Sequence, residues 1–248
     1  MPAAAINLGA MAAVIFDLDG VVTRTAGLHA EAWKRLFDEY MATRARRIGE
    51  PFRPFDLQSD YRRFVDGKPR YDGVASFLAS REIELPFGSP TDPPERETIC
   101  GLGNRKDRYF RVALAAKGGD PYPTTLLLIG ALRRRGVRTA VVSSSRNCEA
   151  VLEAAGIEAL FDVKVDGIDA AELGLPGKPD PAVFVEAARR LGVDPIEAAV
   201  VEDAIAGVEA GRRGGFGLVV GVDRSEQFEA LRAAGADVVV GDLQEIAQ

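Results

Sequence analysis

From Ala12 to Phe16 the chain reads AAVIF, a run of apolar residues that stops at Asp17. An unbroken apolar run predicts a strand covered on both faces, as in a parallel sheet, because a half-exposed strand would alternate. The stretch that follows is more polar and changes period: Leu28, Ala32, Leu36 and Tyr40 recur every fourth residue, the spacing of one helix face. Further helices are predicted over 72–80 and from 95 to about 116. Between them LPFGSPTDPPE, residues 85–95, holds four prolines and is excluded from helix.

From Pro123 onward helix and short apolar strand alternate. Helix 124–135 precedes TAVV (139–142), helix 147–155 precedes VKV (163–165), and helix 181–191 precedes AAVV (198–201). Helix 204–213 then leads to GLVVGV (217–222) and helix 225–234 to DVVV (237–240). Gly136, Gly156, Gly192 and Gly235 stand where helices should end. This alternation predicts an α/β fold with a doubly wound parallel sheet. The first strand is separated from the others by the helical stretch, so the α/β core domain is expected to be discontinuous, 11–24 with 118–248, around an inserted all-helical domain at 25–117.

Composition narrows the function classes. With 248 residues, 47% of them hydrophobic, the chain can bury a core without disulfides or a structural metal. Thirty-one Lys and Arg against 37 Asp and Glu leave a net charge of −6, which disfavours nucleic acid and anionic membrane as partners. The two cysteines, Cys100 and Cys148, are too far apart for a CxxC pair, and a cytoplasmic location is expected. The longest mostly apolar run, 126–132, is far short of the roughly 20 residues of a membrane helix. Residues 1–10 carry no basic segment, so they read as a loose extension rather than a signal peptide, with Met11 an alternative start.

In an open parallel sheet, ligands bind beyond the carboxyl ends of the strands, where strand order reverses. The first strand runs into Asp17-Leu18-Asp19-Gly20, the second into Ser143-Ser144-Ser145 and the fourth into Glu202-Asp203. Ahead of a proline-initiated helix, Gly177-Lys178-Pro179-Asp180-Pro181 adds a lysine. Asp17 and Asp19 are two apart, a spacing that sends both carboxylates the same way along an extended chain while Leu18 turns to the core. Such crowding is costly unless a cation intervenes, and a hard, oxygen-seeking Mg²⁺ bound by Asp17 and Asp203 would remove the cost. Alone, the tetrapeptide suits a simple turn equally well; the ordered appearance of Ser143, Lys178 and Asp203 on the same rim argues for a site.

As a set, AVIFDLDGVV, VVSSS, GKPDP and VVEDAIAGVEAG resemble the motifs of the haloacid dehalogenase superfamily of aspartate-nucleophile phosphotransferases. The helical insert is similar to the cap of its β-phosphoglucomutase-like subgroup, and the resemblance covers nearly the whole chain from Ala12. It implies Asp17 as nucleophile, Asp19 as general acid and base, and Ser143 and Lys178 as phosphoryl ligands. It also implies Mg²⁺ held among Asp17, Asp19, Glu202 and Asp203, with Ser144 and Asn147 beside the substrate. The chemistry is coherent: carboxylate attack on phosphorus yields an acyl phosphate, which splits one hard step into two easier ones. Positive charge then serves an anionic nucleophile meeting an anionic substrate. Dehalogenases proper attack carbon and need no proton donor at the leaving atom, so Asp19 argues for phosphate chemistry.

In the insert, Thr25, His29 and Trp33 stand at the subgroup's spacing, which implies that they help couple cap closure to Asp19; a surface histidine and a core tryptophan are the plainer alternatives. Arg70 and Lys106 match cap positions that meet the far phosphate and sugar. Asp66 stands where a basic residue is expected, and Pro69 replaces a small polar one. The expected reaction is conversion of β-glucose 1-phosphate to glucose 6-phosphate, activated by the 1,6-bisphosphate, in a monomer whose cap moves as a body. The alternative is sugar-phosphate hydrolysis. A phospho-aspartate signalling domain is more remote, because it needs its phosphorylated Asp after a later strand, where the helical insert lies here.

Overall fold

The structure is a computed structural model that describes residues 8–246. Strand β1 (Ala13–Asp17) is buried along its whole length, as its apolar run requires. It pairs in parallel with β2 (Arg138–Val142) on one side and β4 (Ala198–Glu202) on the other. With β3 (Val163–Val165), β5 (Leu218–Val222) and β6 (Val238–Val240) the sheet has six strands in the order β3-β2-β1-β4-β5-β6. The chain therefore steps outward from β1 to β3 and returns to the other side of β1 for β4. That reversal leaves the carboxyl ends of β1, β2 and β4 side by side around one crevice.

The described residues up to Arg24 and from Gly119 onward form one compact unit, and Thr25–Gly118 form a second. The second unit contains α1 (Ala26–Ile48), a π-helical turn (Tyr61–Val65), α2 (Arg70–Ser80) and α3 (Ile99–Lys117). Leu28, Ala32, Leu36 and Tyr40 are all buried, as their spacing predicts. Most of the stability of such helices comes from packing their apolar faces. Phe37 supplies the centre of that packing, with its ring centroid 4.0 Å from Phe77 and 5.1 Å from Phe55. In the first unit the helices are α4 (Pro123–Arg134), α5 (Cys148–Ala155), α6 (Gly167–Leu173), α7 (Ala182–Leu191), α8 (Ile205–Arg213) and α9 (Phe228–Ala234). Phe184 and Val208 pack with Ile15, Val142 and Val200 of the sheet.

Several boundaries differ from the sequence expectation for identifiable reasons. α3 begins at Ile99, not at 95, because Thr98 Oγ1 accepts the Gly101 amide at 3.0 Å and Pro93 and Pro94 precede it. The proline-rich loop before it is held by Asp92, which accepts from Ser89 N and from Thr98 Oγ1 at 3.1 and 2.7 Å. α2 starts at Arg70, two residues early, directly after Pro69. α9 starts at Phe228 rather than 225, because Asp223 Oδ1 accepts the Ser225 and Gln227 amides and keeps that stretch a turn. α6 was not predicted; its seven residues are too few to display a period, and an Asp166–Asp169 capping box starts it. Residues 8–10 are not a loose extension: Leu8–Ala10 form a 3₁₀ turn with Leu8 buried, whereas 1–7 lie outside the described residues.

Candidate active site

Asp17 is the last residue of β1, and Leu18 turns fully into the core as predicted. The chain then folds back instead of running on. Asp19 N donates to Asp17 Oδ2 at 2.9 Å, Gly20 N to Thr23 O at 2.7 Å, and the Val22 and Thr23 amides both reach Leu18 O. Gly20 is required here twice over. Its φ is +94°, and a Cβ on it would lie 1.8 Å from Asp203 Oδ2.

The two aspartates consequently have different partners. Asp17 accepts from Lys178, whose Nζ also donates to Glu202 Oε2 at 2.7 Å, and all three side chains are buried. Asp19 Oδ2 instead accepts the Ser143 hydroxyl at 3.0 Å. Ser143 follows Val142, which lies opposite Asp17 in the parallel register, and the fold-back after Leu18 brings Asp19 to the same rim. Glu202 ends β4; its Oε1 accepts the Asp203 and Ala204 amides, each at 3.1 Å. Room for it depends on Gly207 of α8, where a Cβ would lie 1.7 Å from Glu202 Oε2.

Burial, then the charge of Glu202, raise the Asp17 carboxyl well above the ordinary range, and Lys178 offsets only part of this. Burial alone would lower Lys178, but Asp17 and Glu202 outweigh it and keep the ammonium charged. One cation therefore serves two buried carboxylates, with Asp203 beside them. Asp17, Glu202 and Asp203 each offer an oxygen, all within 4.8 Å of one another. An all-oxygen set that is short of positive charge fits Mg²⁺. Asp19, expected among the ligands, is not in this group and faces Ser143.

Ser144 is half-buried after β2. Asn147 occupies the position before α5, but its side chain makes no cap; its amide donates to Ser145 Oγ at 3.1 Å. In the helical unit, Thr25 is buried and its carbonyl accepts His29 N at 3.0 Å. Lys106 Nζ lies 2.5 Å from His29 Nδ1 and 4.9 Å from the Trp33 ring centroid, so these three gather at one place. An ammonium can only donate, which makes Nδ1 the acceptor and Nε2 the proton-bearing nitrogen of the neutral ring. Arg70 forms an ion pair with Asp107 at 3.0 Å. Pro69 precedes α2, and the Asp66 amide donates to Tyr61 O at 3.0 Å.

Two contributors escaped the sequence. Asp107 carries no motif, and its ion pair with Arg70 appears only in the folded chain. Arg224, two residues beyond the end of β5, donates from Nε to Gly20 O at 3.1 Å, a contact between residues 204 positions apart that no local pattern signals.

Comparison with known proteins identifies the family. Residues 11–215 match the family described as haloacid dehalogenase-like hydrolase. The chain is 49% identical over 237 residues to a β-phosphoglucomutase of Mycobacterium tuberculosis, covering 94% of this chain and 90% of that one. It is 32% identical to the β-phosphoglucomutase of Bacillus subtilis, over 95% of this chain and 92% of that one. Among solved structures, a crystal structure of β-phosphoglucomutase from Clostridium difficile superposes with a TM-score of 0.74 at 26% identity, covering 95% of this chain and 93% of the other. Similarity of this extent, across sheet and helical insert alike, makes the chain an enzyme of the haloacid dehalogenase superfamily, in its β-phosphoglucomutase-like subgroup of phosphotransferases and phosphatases.

Proposed function

We propose that the protein is a Mg²⁺-dependent phosphotransferase that converts β-glucose 1-phosphate to glucose 6-phosphate through an aspartyl phosphate on Asp17. The observation that carries this is the division of partners between Asp17 and Asp19. A carboxylate against a buried lysine is suited to attack, and a carboxylate on a serine hydroxyl beside it is suited to move a proton.

Asp17 attacks the phosphoryl group of the substrate, and the bond to the sugar oxygen breaks. Asp19 donates its proton to that oxygen, and in the second half-reaction takes one from the hydroxyl that accepts the phosphoryl group. Lys178, held by Glu202, neutralises charge at the transferring oxygens, and Ser143 hydrogen-bonds both Asp19 and, with substrate present, a phosphoryl oxygen. Asp17, Glu202 and Asp203 are the residues that would hold Mg²⁺, which when bound supplies positive charge for an anionic nucleophile meeting an anionic substrate. Ser144 and Asn147 serve substrate binding after β2. On the helical unit, Arg70 and Lys106 are the cations for the far phosphate and sugar, with Thr25, His29 and Trp33 supporting Lys106.

Hydrolysis of a sugar phosphate is the second possibility, favoured by one feature: Asp66 is acidic where a mutase would gain from a base. The test is to supply β-glucose 1-phosphate with Mg²⁺ and a trace of the 1,6-bisphosphate and to follow both products. Glucose 6-phosphate as the main product, stimulated by bisphosphate and lost in Arg70→Ala, supports the mutase. Free phosphate, indifferent to both, establishes a phosphatase.

A further inference from the structure

Arg224 belongs to none of the motifs, yet it joins three loops at the carboxyl rim of the sheet. Its Nε donates to Gly20 O at 3.1 Å, in the loop after β1, and its Nη1 donates to Gly241 O at 3.0 Å, in the loop after β6. Asp242 Oδ2 lies 3.6 Å from the same nitrogen and also accepts from Thr124 Oγ1 at 3.1 Å. The guanidinium carbon lies over the Tyr122 ring, 3.9 Å from its centroid, and that of Arg24 lies 4.5 Å from the same centroid. Tyr122 N donates to Val22 O, and Arg24 N to Asp120 O, each at 2.9 Å. The stack therefore braces the two segments by which the chain leaves the α/β unit and returns to it.

The choice of anchor point is what matters. Gly20 follows Asp19 directly, has a φ of +94°, and packs against the Asp203 carboxylate. Gly20 N is held within the turn by Thr23 O, and Arg224 adds a hold on its carbonyl from outside that turn. Stability alone explains the arginine poorly, since its Nη2 is buried with no hydrogen-bond partner among the described residues.

We infer that Arg224 is a positioning residue for Asp19: by fixing the Gly20 carbonyl, it keeps the Asp19 carboxyl group on Ser143 and in place, when protonated, to give its proton to the leaving oxygen. The inference rests on the acid role proposed for Asp19. It predicts an effect that depends on the leaving group. Nitrophenolate departs without a proton, whereas a sugar alkoxide does not.

The experiment compares kcat/KM for para-nitrophenyl phosphate hydrolysis and for conversion of β-glucose 1-phosphate to glucose 6-phosphate in wild type, Arg224→Lys, Arg224→Ala and Tyr122→Leu. A thermal melt of each variant reports the folded fraction. The expected result is a loss of about 30- to 100-fold on the sugar phosphate in Arg224→Ala, with the aryl phosphate within about threefold of wild type. Tyr122→Leu shows the same pattern more weakly, and added guanidinium partly restores Arg224→Ala. Equal losses on both substrates, or no loss on either, overturn the inference while leaving the phosphotransferase intact. A wild type active on the aryl phosphate but inert to the sugar phosphate also overturns it, because Asp19 would then have no acid role. A wild type inert to both removes the proposed function itself.

Discussion

Lys178 Nζ and Glu202 Oε2 lie 2.7 Å apart with both side chains only 1% exposed, and the same ammonium serves Asp17. A buried lysine shared by two acids cannot be removed without leaving both uncompensated. Lys178→Met is therefore expected to lower phosphoryl transfer by about 10²–10³-fold and to destabilise the fold by about 3–5 kcal/mol. Denaturant melts in chelator, alongside turnover in Mg²⁺, check both effects. Loss of activity without loss of stability would contradict the shared-lysine account.

Asp17 carries the opposite stability sign. Its folded value is raised above the ordinary 3.8, so below that pH it contributes no penalty, and the penalty grows as pH rises through the window between the unfolded and folded values. At pH 7 in chelator the wild type bears this cost, and Asp17→Asn does not. The variant should melt about 2–4 °C higher, corresponding to about 1 kcal/mol in a chain of this size, while showing no turnover. Added Mg²⁺ should narrow or reverse the gap by stabilising the wild type more.

Gly20→Ala forces a side chain into the Asp203 carboxylate and a strained φ. The Mg²⁺ concentration for half-maximal activity is expected to rise about tenfold or more, the usual scale for displaced ligand support. An unchanged metal requirement would show that Asp203 has no part in holding the ion. Wild-type activity itself should vanish in excess chelator and return on adding Mg²⁺.

Away from the site, hydrogen bonds from Arg189 and then Arg190 hold Glu186 of α7 down at about 2. A depressed acid contributes stability above its unfolded value, and that contribution fades as pH falls toward the folded value. Glu186→Gln should be less stable than wild type by roughly 0.5–1 kcal/mol at neutral pH, with the difference vanishing near pH 2. Urea melts at both pH values measure it.

Sheet and first helix were legible because their periods are long or unbroken: AAVIF announces a strand buried on both faces, and Leu28 to Tyr40 announce one helix face. The catalytic candidates were legible because strand ends carry them, and Asp17, Ser143 and Glu202 do converge. What separates Asp19 from the group of Asp17, Glu202 and Asp203 was not legible. The two-residue spacing assumes extended chain, and the fold-back at Gly20 and Thr23 sends Asp19 to Ser143. Likewise Asp107 and Arg224 act through contacts made only when distant segments meet, which no period records.

The central claim is that phosphate is carried on Asp17. Mixing the enzyme with β-glucose 1,6-bisphosphate and Mg²⁺, quenching in acid within milliseconds and mapping the peptides by mass spectrometry tests it directly. The account predicts one added phosphoryl group on the peptide containing Asp17, removed by hydroxylamine and missing from Asp17→Asn. A phosphoryl group on another side chain, or turnover by Asp17→Asn at the wild-type rate, would contradict it.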